Sequence, residues 1–103
     1  MPKCDLKNEL IGSYVVVRCR DAGVHAGVLA QWNGREAILE ESRRLWYWKP
    51  LSGKFLSAVA NNGLDRKSRV GEPVKLLVLS EFCEILKCSK IAEQSIREIA
   101  SDV

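Results

Sequence analysis

Two strand-like runs meet at Asn33-Gly34, and no other dipeptide restricts the fold of this chain as much. Both residues tolerate positive φ, and a two-residue turn of that kind matches the right-handed twist of the strands it joins. His25-Ala-Gly-Val-Leu-Ala-Gln-Trp32 leads into it with strand character, so strands over about 25–32 and 35–40 are expected to pair. Upstream, Ser13-Tyr-Val-Val-Val-Arg-Cys-Arg20 holds a β-branched run that favours another strand, ended by a turn at Asp21-Ala22-Gly23. A further strand over about 43–49 stops at Lys49-Pro50, because proline cannot donate to a ladder.

The period then changes. Phe55, Ala58 and Val59 fall on one helical face, and Asn62-Gly63 supplies a stop, which predicts a short helix over 55–62. Residues 64–71 read as a polar, basic loop, and Val74-Lys-Leu-Leu-Val-Leu79 as a buried strand. Ser80 to Lys87 fits a helix or a strand; a strand after a kink at Ser80-Glu81 is the preferred reading. In the last segment Ser89 is a natural N-cap, Ala92, Ile96, Ile99 and Val103 form one apolar stripe, and Glu93 and Arg97 pair at i, i+4. The expected architecture is an arm over 1–12, then one α+β domain over 13–103. That domain is a small antiparallel β-sheet with a short middle helix and a C-terminal helix.

At 103 residues the chain suits one domain with a modest core, and clefts in chains this small are often completed by a second subunit. The net charge of +3 is mild but uneven. Residues 43–69 carry seven cations (Arg43, Arg44, Lys49, Lys54, Arg66, Lys67, Arg69) against one acid, Asp65, whereas the remainder has nine cations and twelve acids. That asymmetry points to an anionic partner for the middle of the chain, although a solvated basic loop would look the same. Cys4, Cys19, Cys83 and Cys88 include no Cys-x-x-Cys pair and only His25 could add an imidazole, which argues against structural zinc. Cys19 and Cys83 lie in strand-like runs and are expected to be buried. No signal-peptide stretch or run of about twenty apolar residues occurs, so a cytoplasmic protein without membrane spans, and with free thiols, is expected.

Catalytic patterns are scarce. His25 has no acid or nucleophile beside it in sequence, and a histidine satisfied by backbone is the simpler reading. Gly23-Val-His-Ala-Gly27 lacks the lysine and helix of a phosphate loop, and a close approach of two strands explains its glycines. Glu40-Glu41 and Glu81/Glu84 are more simply solvated strand ends than a hydrolase pair. Neither an enzyme nor a cofactor is expected. What remains is Arg43-Arg44-Leu45-Trp46-Tyr47-Trp48-Lys49, where alternation along a strand puts Arg44, Trp46 and Trp48 on one side and Arg43, Leu45 and Tyr47 on the other. Guanidinium groups hold oxyanions while indoles stack on flat bases, so a phosphate-bearing base is the natural guest. The candidate binding residues are Arg18, His25, Arg43, Arg44, Trp46, Tyr47, Trp48, Asn61, Asn62, Arg66 and Arg69, with the asparagines offering amides to a base edge. Ordinary core packing of the indoles, an oligomer interface, and a module for single-stranded nucleic acid are the competing readings.

Val17-Arg18, Asp21-Ala-Gly-Val-His-Ala-Gly-Val-Leu29, Arg43-Arg-Leu-Trp-Tyr-Trp48 and Leu79-Ser-Glu-Phe-Cys-Glu-Ile-Leu-Lys-Cys88 together resemble the first described family of Thoeris anti-defence proteins. Those are phage sponges that sequester a cyclic ADP-ribose immune signal. The resemblance spans about residues 13–100. It implies non-catalytic binding of a cyclic nucleotide second messenger in the host cytoplasm by a homo-oligomer, a hexamer assembled from dimers, with signal pockets at subunit interfaces. It also implies that cyclic oligonucleotides are held in separate pockets by some members. The chain departs from the pattern in following Trp48 with Lys49-Pro50, and in ending Ile99-Ala-Ser-Asp-Val103 without a terminal tryptophan.

Overall fold

The structure, a computed structural model, describes residues 9–102; most of the expected arm, Cys4 and Val103 lie outside the described residues. Within residues 12–102 the elements follow one another as β1 (Tyr14–Cys19), β2 (Gly23–Asn33), β3 (Glu36–Tyr47), α1 (Leu56–Asn62), β4 (Arg69–Val70), β5 (Val74–Ser80), β6 (Phe82–Lys87) and α2 (Lys90–Glu98). All strand pairings are antiparallel, and β3–β2–β1 form the centre of the sheet. The α+β architecture read from the sequence is the one observed.

The sheet curls because one residue joins its two margins. β5 pairs with β3 and β6 pairs with β1, yet only Glu81, at φ 58°, separates β5 from β6. The Arg35 backbone carbonyl accepts from Phe82 N (3.2 Å) and Arg35 Nη1 donates to Glu81 Oε1 (3.2 Å), tying the β2–β3 turn to this corner. Curling encloses an inner core of Val15, Val17, Cys19, Leu29, Ala37, Leu39 and Leu79. On the opposite face Tyr14, Val16, Ala26 and Leu45 pack under Leu56 and Val59 of α1 and Ile96 of α2. β1 therefore feeds two cores from alternate residues, which explains a run of three consecutive valines.

The hairpin turn lies one residue later than the sequence suggests. Asn33 stays in the ladder opposite Glu36, and Gly34-Arg35 make the turn, with φ 56° at Gly34 as a glycine-first hairpin turn requires. The two strands expected over 35–40 and 43–49 are one. β3 runs through Glu41 (φ 52°) by a bulge in which Glu41 and Ser42 oppose Gly27 alone. A Cβ at Gly27 would lie 2.9 Å from both Glu40 O and Ser42 Cα, so the bulge depends on that glycine.

β5 is not the buried strand its composition suggests. Only Leu79 is buried, while Val74, Leu76 and Val78 are 47%, 59% and 61% exposed, since they alternate to the face opposite the inner core that takes Leu77 and Leu79. The expected loop at 64–71 contains β4 and buries Leu64, Ser68 and Val70. Cys83 is exposed rather than buried, whereas Cys19 is buried as expected. The kink at Ser80-Glu81 stands where it was expected, and so do both helices, but α1 buries Leu56, Val59 and Ala60 while Phe55 precedes it and is exposed, and α2 ends at Glu98, short of Ile99. Ser89 Oγ accepts from Ala92 N (3.0 Å), Ala92 and Ile96 face the core, and Arg97 Nε donates to Glu93 Oε2 (2.9 Å). Among the described residues no helix is long and apolar enough to cross a membrane.

Candidate functional site

Arg43 and Arg44 are adjacent in sequence and differ entirely in role. Arg43 is 4% exposed and lies on the helix side of β3. Its Nε donates to Gly71 O (2.9 Å), Nη1 to Ile96 O (2.8 Å) and Arg97 O (3.4 Å), and Nη2 to Ser101 Oγ (3.2 Å). The last carbonyls of α2 have no intrahelical donors, and a guanidinium there satisfies them while complementing the negative end of the helix dipole. Burial lowers the Arg43 pKa, with Tyr14 opposing. Arg43 is thus a structural cap, and its expected role as a phosphate clamp is corrected.

Arg44 faces the other way and is exposed. It pairs across the ladder with His25, and its guanidinium lies over Gly23, where an added Cβ would come within 3.3 Å of Nη2. His25 is buried, with Nε2 2.9 Å from Ala22 O; the ring must donate from that nitrogen, since a carbonyl only accepts. Burial lowers its pKa; the Ala22 hydrogen bond opposes this and the Arg44 charge adds to it. His25 is a satisfied histidine beneath Arg44, not an open ligand.

Trp46 is 51% exposed and Tyr47 50% exposed. The Arg69 guanidinium carbon stands 5.1 Å from the centre of the Trp46 ring, a cation–π contact, while the Arg69 backbone pairs with Tyr47. Trp48 does not share this side. The ladder to β4 bulges between Leu45 and Tyr47, the strand ends there, and Trp48 turns in against the cluster that holds Leu45. The expected Arg44–Trp46–Trp48 face is corrected: Trp48 leaves it, and Arg69 stands over Trp46.

A short stitched loop presents the cations around it. Asp65 N donates to Lys49 O (2.8 Å), Ser68 Oγ accepts from Lys49 N (2.9 Å), and Lys67 N donates to Asp65 Oδ1 (2.8 Å). Gly71 N then donates to Arg44 O (2.8 Å), completing the seam that holds β4 beside β3. Asp65 and Ser68 went unmarked as site builders. The signal was the lone acid of the basic segment, followed by a serine three residues on, a composition suited to side-chain-to-backbone turns.

The other candidates are not gathered here. Arg18 Nε is paired with Glu84 Oε1 (2.9 Å) across β1 and β6. Arg66 lines a separate cleft of about 580 Å³ with Leu51, Leu64, Ser95, Glu98 and Ile99. Asn62 Nδ2 donates to Ser52 O (3.0 Å), and the Asn61 carbonyl accepts from Ser89 Oγ (2.9 Å), so both asparagines fasten the loops around α1. A second cleft of about 510 Å³, lined by Ile11, Trp32, Glu36, Ile38 and Val78, lies along the β3–β5 side of the sheet. Among the described residues no group of three or more His, Cys, Asp or Glu side chains converges as a metal site.

A family model described as a domain of unknown function (DUF6948) matches residues 12–96. The chain belongs to that family. The match spans β1 to β6 and α1 and ends inside α2, so the Arg44–Trp46–Arg69 surface lies within the family's domain. No curated protein and no solved structure matches the chain.

Proposed function

We propose that the protein binds a phosphate-bearing nucleotide without transforming it, through the surface formed by Arg44, Trp46 and Arg69. Its guest is a cyclic nucleotide immune signal, a cyclic ADP-ribose isomer or a cyclic oligonucleotide, held away from its receptor in the host cytoplasm. The reading is carried by one observation: a half-exposed indole already holds a guanidinium 5.1 Å from its centre, with an unpaired ring surface left for solvent. A base can stack on that indole while Arg44 and Arg69 take the phosphates.

The magnitudes limit the affinity of one chain. Stacking contributes about 1–3 kcal/mol per base, and each charge-assisted contact about 1.5–3 kcal/mol. Nanomolar binding requires about −12 kcal/mol, so one open surface of this kind supports micromolar binding. Calorimetry against cyclic ADP-ribose isomers and cyclic di- and trinucleotides tests the proposal. Binding that disappears in Trp46→Ala and Arg69→Ala supports it, and the absence of heat with every one of these ligands rejects it.

A specific observation favours a second reading, a single-stranded nucleic-acid module. Trp46 and Tyr47 are both half-exposed on an open strand, and neither lines the clefts described above. That reading requires affinity for oligonucleotides that grows with strand length and falls steeply with salt. Flat responses to both variables exclude it.

A further inference from the structure

We infer that the cleft between residues 64–66 and the end of α2 binds a small zwitterion with an aliphatic body, the chemistry of a free aliphatic amino acid or of a short peptide. Its framework is tightly fastened. Ser95 Oγ accepts from Leu64 N (3.0 Å) and donates to Leu64 O (3.1 Å), so one hydroxyl pins the loop to the helix. Leu51 N donates to Gly63 O (2.9 Å), which fixes the rim on the loop side. Gly63 itself seats so close to α2 that an added Cβ would lie 2.7 Å from Ser95 Oγ. From this seam Arg66 stands two residues along the loop, while Glu98 stands three residues along α2, on the helix face that Ser95 shares. The space they border is about 580 Å³, within the roughly 300–1,000 Å³ of small-molecule sites.

The two charges select the guest. Among the described residues Arg66 has no ion-pair partner, and the Glu98 carboxylate accepts only from Gln94 Nε2, through Oε2 (3.0 Å). Both side chains are exposed, and they do not bridge to each other across the cleft. A guanidinium holds a carboxylate through paired N–H donors, and a carboxylate holds an ammonium. A ligand carrying both ends satisfies both walls, whereas a phosphate ester meets attraction at Arg66 and repulsion at Glu98. The charge of the described lining sums to zero, unlike the cationic surface around Trp46. The body of the ligand is set by the apolar lining. Leu51 is 59% exposed and Ile99 is half-buried, and an aliphatic side chain laid on them takes that surface out of water. Both ionic contacts remain open to solvent, so the dissociation constant is on the order of millimolar. The inference does not rest on the nucleotide reading, since the cleft shares no residue with Arg44, Trp46 and Arg69.

NMR titration of the isotope-labelled full chain at about pH 7, where all the charges concerned are present, tests it with leucine and with dileucine. The expected result is saturable movement of the Leu64, Ser95 and Glu98 amides with at least one of the two, the tighter ligand identifying the source. The N-acetylated and C-amidated forms of that ligand, each lacking one charge, should bind at least about threefold more weakly. Glu98→Gln should weaken the zwitterion by a similar factor without weakening the acetylated form, and Arg66→Gln should do so without weakening the amidated form. Circular dichroism should not change, because both side chains already face solvent. No saturable shift with either ligand up to about 50 mM, or an affinity indifferent to the blocked ends and to both substitutions, overturns the inference. Trp46→Ala should leave these titrations unaltered, which separates failure here from failure of the nucleotide surface.

Discussion

Arg43 donates through Nη1 to the carbonyl of Ile96 at 2.8 Å, joining the middle of β3 to the last turn of α2 across 53 residues of sequence. The bond is buried, and it decides which of two neighbouring arginines belongs to the fold.

Arg43→Met should therefore cost about 2–4 kcal/mol, since it leaves the end carbonyls of α2 without donors inside the protein. Arg44→Met, one position on, should stay within about 0.5 kcal/mol. Urea unfolding of the two variants side by side checks the contrast; equal losses would contradict the assignment of roles.

At the proposed binding surface the pattern reverses. Trp46→Ala and Arg69→Ala should each reduce nucleotide affinity by about 1–3 kcal/mol while leaving the unfolding midpoint nearly unchanged. Quenching of tryptophan fluorescence on titration gives the affinity, and it should vanish with Trp46 even though Trp32 and Trp48 remain.

Gly27→Ala should destabilise the domain by about 1–3 kcal/mol, because the new methyl meets backbone atoms of the β3 bulge at 2.9 Å and no flexible side chain can yield. Thermal unfolding would register this as a drop of several degrees. A neutral outcome would mean that the bulge relaxes.

His25 makes stability depend on pH in a definite direction. Burial lowers its pKa in the folded protein, so the unfolded chain binds the proton more tightly. Its contribution is whole above the ordinary histidine value of 6.5 and is lost as pH falls below that value toward the lowered one. His25→Gln should flatten the decline between about pH 6.5 and 5, as followed by urea midpoints across that range.

Three described thiols should separate by reactivity. Burial raises the pKa of Cys19, and it pushes the Cys88 thiol up to about 12, whereas Cys83 is exposed. In a Cys4→Ser background, a thiol reagent at neutral pH should label Cys83 quickly and the other two only on unfolding. Rapid labelling of Cys88 would contradict its placement under α2.

The elements that periodicity or turn chemistry governs were legible in the sequence: β1 from its β-branched run, the β2–β3 hairpin from Asn33-Gly34, α1 from its glycine stop and α2 from Ser89 and its stripe. The kink at Ser80-Glu81 was legible too, although nothing in sequence showed that it closes the sheet. What escaped was decided by tertiary contacts. Whether Arg43 or Arg44 points inward depends on where the end of α2 lies, and strand alternation cannot supply that. Trp48 left the expected face because the ladder to β4 bulges, a pairing of residues more than twenty positions apart. Val74 to Leu79 looked buried since apolar composition is blind to which face of a strand the core takes. Of the candidate residues, Trp46 and Arg69 come together, whereas Arg18 pairs with Glu84, Arg66 lines a separate cleft and the asparagines fasten loops around α1.

The single-residue corner at Glu81 has a consequence for how the chain can be divided. It lays β1 against β6, so the inner core draws on both ends of the polypeptide at once. A fragment that stops before residue 82 would leave Val15 and Val17 with one wall missing, and one that starts after β1 would leave Ile85 nothing to rest on. Melting should accordingly proceed as one indivisible event, and severing the chain at that corner should undo both halves together.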